Sequence, residues 1–319
     1  MRRPSARALA LALAVGLLAP GAVASAAPRG AGAHRRGFPV AIATPEGVAR
    51  IPARPTRILS LSPSATQMLY AIGAGPQVVG VDRYSTYPPN APRTSFTGGE
   101  TSAEDYLSLR PDLVLLAFDA SHLVAQLRTL GIPALLLPPA TSLAGVDAQL
   151  AELGRATGHV AAASRVARTL AQRIARAASA AGSAARGKTY YLELDPTLYS
   201  ATSKTFVGAI FARLKLRDIA DAAAHGSAYP QLSAEYLLRA NPDYVFLADT
   251  DCCRQSPATF AHRPGFARLR AVRLHHVYGI PDSLASEWGP HSLETLVAVL
   301  DRILTARGAH ARAARPAGT

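Results

Sequence analysis

The sequence predicts an α/β protein of two similar lobes with mainly parallel sheets, connected by a single long α-helix. Three observations lead to this. Short apolar runs of strand character alternate with helical patterns along the chain. A fifteen-residue unit occurs twice, as SAEDYLSLRPDLVLL at 102–116 and SAEYLLRANPDYVFL at 233–247, with eight identities at an offset of 131 residues. Between the copies lies an alanine- and arginine-rich stretch, 160–186, without proline.

Residues 57–62 read as a buried strand stopped by Pro63. Ser64 is expected to cap the following helix, in which Met68, Leu69 and Ile72 share a face and Gly73 is the stop. Further strands are expected at 78–81, 112–118 and 134–137. The second half repeats the order, with a strand at 189–194, a helix at 206–214 and a strand at 244–248. Each repeat copy reads as a helix capped by Ser102 or Ser233, a Pro-Asp turn and a buried strand. In the middle stretch Val160, Val166, Leu170 and Ile174 approximate a helical stripe. Alanine is the best helix former, and twenty such residues reach roughly 30 Å, a stiff connector. The expected plan is a lobe over 51–142, linker helices over 143–187 and a lobe over 188–304. A flexible leader over 27–50 and a flexible tail over 305–319 flank them.

The first 26 residues read as a cleavable secretory signal. Arg2, Arg3 and Arg7 precede an apolar run at 8–19, too short to span a bilayer, and Ala24-Ser25-Ala26 supplies a small-x-small cleavage pattern. No cysteine follows that run, so the mature protein is expected to be exported and periplasmic, or secreted, without a lipid tether. The net charge of +13 suggests a phosphate-bearing partner. Its placement removes that reading. Without the three signal arginines the charge is +10. Setting aside Arg29, Arg35, Arg36, Arg307, Arg312 and Arg315 in the leader and tail leaves about +4 on the body. No nucleic-acid partner is expected.

Taken in order, several segments resemble one family. These are the run RILSLSPSATQMLYAIGA from Arg57, the strand from Val78 to Asp82, the Leu-Arg-Pro-Asp-Leu-Val core of 107–116, and SKTFVG at 203–208. Together they are very similar to the substrate-binding proteins of ABC importers for vitamin B12, ferric siderophores and haem. The resemblance covers about residues 50–303 and implies two Rossmann-like lobes joined by one long helix. It implies a non-enzymatic, monomeric receptor that holds a metal chelate as ligand, with no cofactor of its own. The ligand is then cobalamin or a related corrinoid first, and a ferric siderophore or haem next. It also implies a partner, the permease dimer of the importer, onto which Glu104 and Glu235 dock, one from each lobe. A carboxylate in the first turn of a capped helix equally suits the helix dipole with no partner at all.

Ligands of open α/β sheets lie beyond the carboxyl ends of the strands. The candidate ligand-binding residues there are Ser62, Pro63, Ser64, Tyr84, Tyr87, Phe118 and Asp119 in lobe one, and Tyr199, Tyr229, Asp251 and Trp288 in lobe two. Their aromatic rings suit a large flat ligand with polar edges. Arg83 and Arg254 are placed to meet an anionic siderophore. Adjacent Cys252 and Cys253 in an exported chain are expected to form a vicinal disulfide that shapes its loop, with ligand contact as the alternative. No zinc spacing or H-E-x-x-H occurs, so no metal site of the protein's own is expected, and His291 is expected near the cleft. The alternative from another class, an exported α/β hydrolase, wants G-x-S-x-G, which is missing, as are the P-loop and dinucleotide motifs.

Overall fold

Apart from the two-residue edge strand at Arg217–Asp218, the strands of the two main sheets carry apolar residues at odd and even positions alike, so both sheets must be covered on both faces. The computed structural model describes residues 37–313, without the side chains of 183, 184 and 307–313. The expected signal segment, the leader to residue 36 and residues 314–319 lie outside the described residues.

A hairpin comes first, β1 (Val40–Thr44) antiparallel to β2 (Gly47–Ile51). This corrects the flexible leader expected up to residue 50. Ile42, Ala49 and Ile51 are buried while their neighbours face outward, and the small alanines dilute that alternation in the sequence. Gly47, at φ +104, lets the chain turn between the strands.

Lobe one comprises β3 (Ile58–Leu61), α1 (Pro63–Ala71), β4 (Val78–Val81), α2 (Ala103–Tyr106), β5 (Leu113–Leu116), α3 (Leu123–Thr129) and β6 (Ala134–Leu136). Helices α4 (Leu143–Thr157) and α5 (Val160–Ala185) lead to lobe two. That lobe contains β7 (Thr189–Glu193), α6 (Phe206–Arg213), β8 (Arg217–Asp218), α7 (Ala234–Ala240), β9 (Tyr244–Leu247), α8 (Thr250–Cys253), α9 (Pro257–Ala261), α10 (Arg270–Arg273), β10 (Val277–Gly279) and α11 (Ser283–Ser286). The last helix is α12 (Pro290–Ala313).

Both sheets are parallel and share one strand order, β4-β3-β5-β6 and β8-β7-β9-β10. In each, the second strand lies on one side of the first and the third and fourth on the other. Alternate side chains feed different cores. Ile58, Leu113 and Leu115 join a large cluster that continues through α5 and α12 to Tyr190, Leu192 and Phe246. Leu59, Leu61, Val114 and Leu116 point to the opposite face, under α2 and α3.

The repeat is equally plain in hydrogen bonds. Ser102 and Ser233 cap α2 and α7, accepting from Asp105 N at 3.3 Å and Tyr236 N at 3.1 Å. Arg110 and Asn241, each before a proline that disfavours helical backbone, adopt left-handed φ of 44° and 45°. The next aspartates receive the amides that open each lobe's first strand. Thr56 N and Arg57 N donate to Asp112 at 2.8 and 2.9 Å, and Thr189 N donates to Asp243 at 3.0 Å. The Pro-Asp turn therefore fastens the third strand of each sheet to the first.

Three local expectations change. Ser62 rather than Ser64 caps α1, because Pro63 occupies the first helical position, and Ala65 N donates to Ser62 Oγ at 3.2 Å. Gly182, at φ 46°, interrupts α5, leaving about 33 Å of regular helix at ~1.5 Å per residue. The expected flexible tail is helical through residue 313, as its alanines and arginines favour. Helix α12 packs along α5 and against α1, and Arg173 Nη1 donates to Glu294 Oε2 at 2.6 Å. The connector is thus reinforced along its length.

Candidate functional site

The strand order places a switch point beside β3 and β5 in lobe one and beside β7 and β9 in lobe two, where successive connections leave in opposite directions. A cleft of about 1290 Å³ opens there between the lobes. Lobe one lines it with Ser62, Pro63 and Ser64 after β3, Asp82, Tyr84 and Thr86 after β4, Thr97 to Glu100 before α2, and Ala117 and Phe118 after β5. Lobe two contributes Leu194, Phe206, Tyr229, Ala248 and Asp251, and beyond β10 Asp282, Ser283 and the run from Ala285 to Trp288. Tyr84, Phe118 and Tyr229 keep much of their surface exposed, at 54%, 66% and 45%, so their rings are available to a ligand.

The cleft floor is a seam between lobes. Trp288 N donates to Ser64 Oγ at 3.0 Å, and its indole Nε1 donates to Gln149 Oε1 at 2.7 Å. Gln67 of α1, almost fully buried, donates to Glu287 and to Ser292 Oγ and accepts from Ser292 N at 3.0 Å. Any side chain at residue 289 would collide with Gln67, so Gly289 permits the close approach. These buried polar groups find their partners across the lobe boundary, which ties the segment after α11 to α1.

The charge of the lining is one-sided. Asp82, Glu100, Asp251, Asp282 and Glu287 line the cleft, and among the described residues no arginine, lysine or histidine joins that lining. Burial pushes the Asp82 carboxyl up, against hydrogen bonds from the Ser85 hydroxyl and amide. Burial also pushes Glu287 up, opposed by Ser292 and reinforced by the charge of Asp82. Arg83 turns to the Tyr84 hydroxyl at 2.9 Å and to Glu100 at 3.8 Å. Neither Arg83 nor Arg254 joins the lining, contrary to the placement expected for them.

Of the candidate residues, the cleft gathers Ser62, Pro63, Ser64, Tyr84, Phe118, Tyr229, Asp251 and Trp288. It does not gather three. Asp119 turns to α3, accepting Val124 N at 2.8 Å. Tyr199 bridges to Gln231. Tyr87 stacks on His291, ring centroids 3.5 Å apart, in a separate 540 Å³ hollow between α1, α5 and α12. His291 consequently lies away from the cleft where it was expected. Missed were the carboxylates Asp82, Glu100, Asp282 and Glu287. Their signal was available, since Asp82 follows the strand 78–81 and Glu287 adjoins Trp288.

Cys252 and Cys253 are disulfide-bonded within α8, at the carboxyl end of β9. Asp282 receives Asp251 N at 2.9 Å and Cys252 N at 2.8 Å, while Asp282 N donates to Asp251 Oδ2 at 3.2 Å. The turn bearing the disulfide is therefore joined to two cleft carboxylates. Beneath it, fully buried Glu193 accepts both Arg263 nitrogens, at 2.8 and 2.6 Å. Burial and the neighbouring Glu193 push the Asp249 carboxyl up to about 7.

Glu104 and Glu235 are exposed in the first turns of α2 and α7. Hydrogen bonds from its own amide and from Ser233 hold the Glu235 carboxyl below the usual range, so it stays charged. Among the described residues no group of three or more His, Cys, Asp or Glu is arranged to hold a metal ion. No helix among them is long and apolar enough to cross a membrane.

Two lobes of one parallel strand order, a helical connector and a cleft at the strand ends define a bilobal binding protein. The periplasmic binding protein family profile matches residues 58–284, and the chain belongs to that family. Its members and relatives here are substrate-binding proteins, not enzymes. A cobalamin-binding protein of Halobacterium salinarum is 37% identical over 246 residues, covering 74% of this chain and 66% of its own length, just under two thirds. An uncharacterized ABC transporter substrate-binding lipoprotein of Bacillus subtilis is 28% identical, covering 75% and 77%. Among solved structures, the vitamin B12 binding protein of Vibrio cholerae superposes with a TM-score of 0.63 at 23% identity, covering 79% of this chain and 98% of its own. A haem-binding protein of Roseiflexus does so with 0.67 at 24%, with the same coverages. At these identities the two structures speak for the fold alone.

Proposed function

We propose that this protein is the exported, monomeric solute receptor of an ABC importer and that its ligand is cobalamin or a related corrinoid. The observation that carries the ligand is the cleft lining, with aromatic side chains, five carboxylates and, among the described residues, no basic side chain. A corrinoid presents a broad ring edged with neutral amides whose N–H groups can donate to carboxylates. Haem presents carboxylates and ferric catecholates are polyanions, and both would meet like charge in the cleft. The volume exceeds the ~300–1,000 Å³ of drug-sized sites, as such a ligand requires. The name of the Halobacterium relative supports the same reading.

In this reading the eight gathered candidates and the four missed acids contact the ligand, and the disulfide holds the Asp251 turn in shape. The floor seam and the reinforced connector limit closure, so capture occurs in a nearly preformed cleft. Glu104 and Glu235 then make charge-assisted contacts with arginines of the permease dimer, one from each lobe.

Trp288 is the only tryptophan and lies at the floor, so its fluorescence reports on occupancy. Titration should give submicromolar binding of aquocobalamin or cyanocobalamin, with haemin and a ferric catecholate at least about a hundredfold weaker. D82N with E287Q should narrow that gap by about tenfold. Equal or tighter binding of haemin by the native protein would overturn the corrinoid assignment.

A further inference from the structure

The repeat offers a way to separate what the fold needs from what a partner needs. Its eight identities recur in two lobes whose other residues have diverged. The fold accounts for six of them. Ser102 and Ser233 cap their helices, Ala103 and Ala234 are tucked inward, and Pro111-Asp112 and Pro242-Asp243 make the turns that hold the first strands. Val114, Leu116, Val245 and Leu247 are buried in β5 and β9. The two remaining identities are Glu104 with Glu235, and Leu107 with Leu238. All four side chains are exposed, the leucines at 40% and 36%. An isolated exposed leucine needs no explanation. An exposed leucine at the same position of both copies does, because the neighbouring buried position is free to differ, Tyr106 in one lobe and Leu237 in the other.

Helical geometry sharpens the point. A residue and the third after it share a helix face. Leu107, at the end of α2, stands one turn from Glu104, and Leu238 in α7 stands one turn from Glu235. Each lobe thus presents one carboxylate and one leucine with the same spacing and the same order. A partner that uses both copies must itself offer two equivalent surfaces, which a membrane permease built as a two-fold dimer does.

We infer that Leu107 and Leu238 are the apolar halves of two matched docking contacts, each seated in an apolar hollow of one permease subunit beside the cation that receives Glu104 or Glu235. This rests on the importer-receptor reading given above. The carboxylates steer and orient the approach, and the leucines slow release once the surfaces meet.

The test uses the full-length mature protein and its cognate importer complex in lipid nanodiscs, with the dissociation constant and off-rate measured by biolayer interferometry. L107Q and L238Q keep helix propensity and side-chain length while removing the apolar end. Each should weaken docking by about tenfold, mostly through a faster off-rate, and the double variant by more. L107M and L238M should restore it. Because Leu238 also lies over Gly265, cyanocobalamin affinity and thermal midpoint are measured on every variant, and both should stay at the native values. E104K and E235K separate the two layers of the argument. Loss of docking in the glutamate variants with native docking in the glutamine variants would overturn the role of the leucines and leave the receptor reading intact. Native docking in all four would overturn both.

Discussion

The two lobes share a skeleton and differ at its open end. Strand order, helix caps, the left-handed residue before the proline and the aspartate after it recur in both. Beyond the strand ends they part. Lobe one carries a buried hydroxyl chain from Ser60 through Thr66 and Ser85 to Asp82. Lobe two carries the Glu193–Arg263 pair, a buried Asp249 and a disulfide-bonded turn. The position 131 residues before Asp249 holds Phe118, which stands in the cleft while Asp249 is sealed beneath it. The shared parts are those that close backbone hydrogen bonds, and the divergent parts are those that a ligand would meet. Among buried residues, recurrence therefore marks the frame, and divergence at the strand ends marks the site.

The sharpest way to break this comparison is to remove the same tie from each lobe. Asp112 holds β3 through the Thr56 and Arg57 amides, while Asp243 holds β7 through Thr189 and also pairs with Lys188 and Arg270, each at 3.3 Å. Burial alone would raise the Asp243 carboxyl, but the Thr189 amide and the two cations outweigh it and leave it below the ordinary value. D243A should cost about 3 kcal/mol in urea unfolding and D112A about 1.5 kcal/mol. The extra cost at Asp243 is present above the unfolded carboxyl range and disappears as pH falls through the depressed folded value. Equal losses would mean that the two cations contribute nothing beyond the shared tie.

The skeleton was legible because it depends on short local signals. Proline, aspartate and serine at fixed offsets announce caps and turns, and strands buried on both faces are uninterrupted apolar runs. The site was legible only as a neighbourhood. That strand-end loops line the cleft follows from topology, but which side chains turn inward depends on partners far along the chain. Tyr87 left the cleft because His291, over two hundred residues later, offered a ring to stack on. Asp119 left because α3 lacked another cap for Val124 N. Gln67 and Glu287 joined in a seam that no local pattern could reveal, since its two halves lie 220 residues apart. The hairpin failed for a plainer reason, as alanine has little strand signature.

A second difference between the lobes is a proton. Asp249 is held at about 7, whereas an unfolded carboxyl titrates near ~3.9. Between those values the folded chain keeps a proton that the unfolded chain has lost, so this group's contribution to stability declines as pH rises from about 4 through 7. Asparagine at 249 does not titrate, so D249N should be more stable than the native protein at pH 8 by about 1–2 kcal/mol, with little difference at pH 4.5. Asp218, raised to about 7 chiefly by burial while Tyr190 donates to it at 2.6 Å, titrates in the same window. The substitution should therefore lessen the slope of stability against pH rather than abolish it. A D249N profile parallel to the native one would place the proton elsewhere.

The smallest effect tests whether the repeated backbone is equally suited to its residues. Arg110 and Asn241 adopt the same left-handed conformation, with φ and ψ of 44° and 55° in one and 45° and 62° in the other. Asparagine enters that region far more readily than a long side chain does. Asn241 also has a second role, since its Oδ1 accepts Arg270 N at 2.7 Å and opens α10. Arg110 is held through its backbone, its amide donating to Leu107 O at 2.9 Å and its carbonyl accepting Arg57 Nε at 3.1 Å, and any residue but proline supplies both. R110N should therefore relieve backbone strain and lose nothing, raising stability by about 0.5 kcal/mol with an unchanged m-value in urea. A decrease would mean that the exposed Arg110 side chain stabilises lobe one by more than the strain it imposes. The equivalence of the two turns would then hold for the backbone and not for its energy.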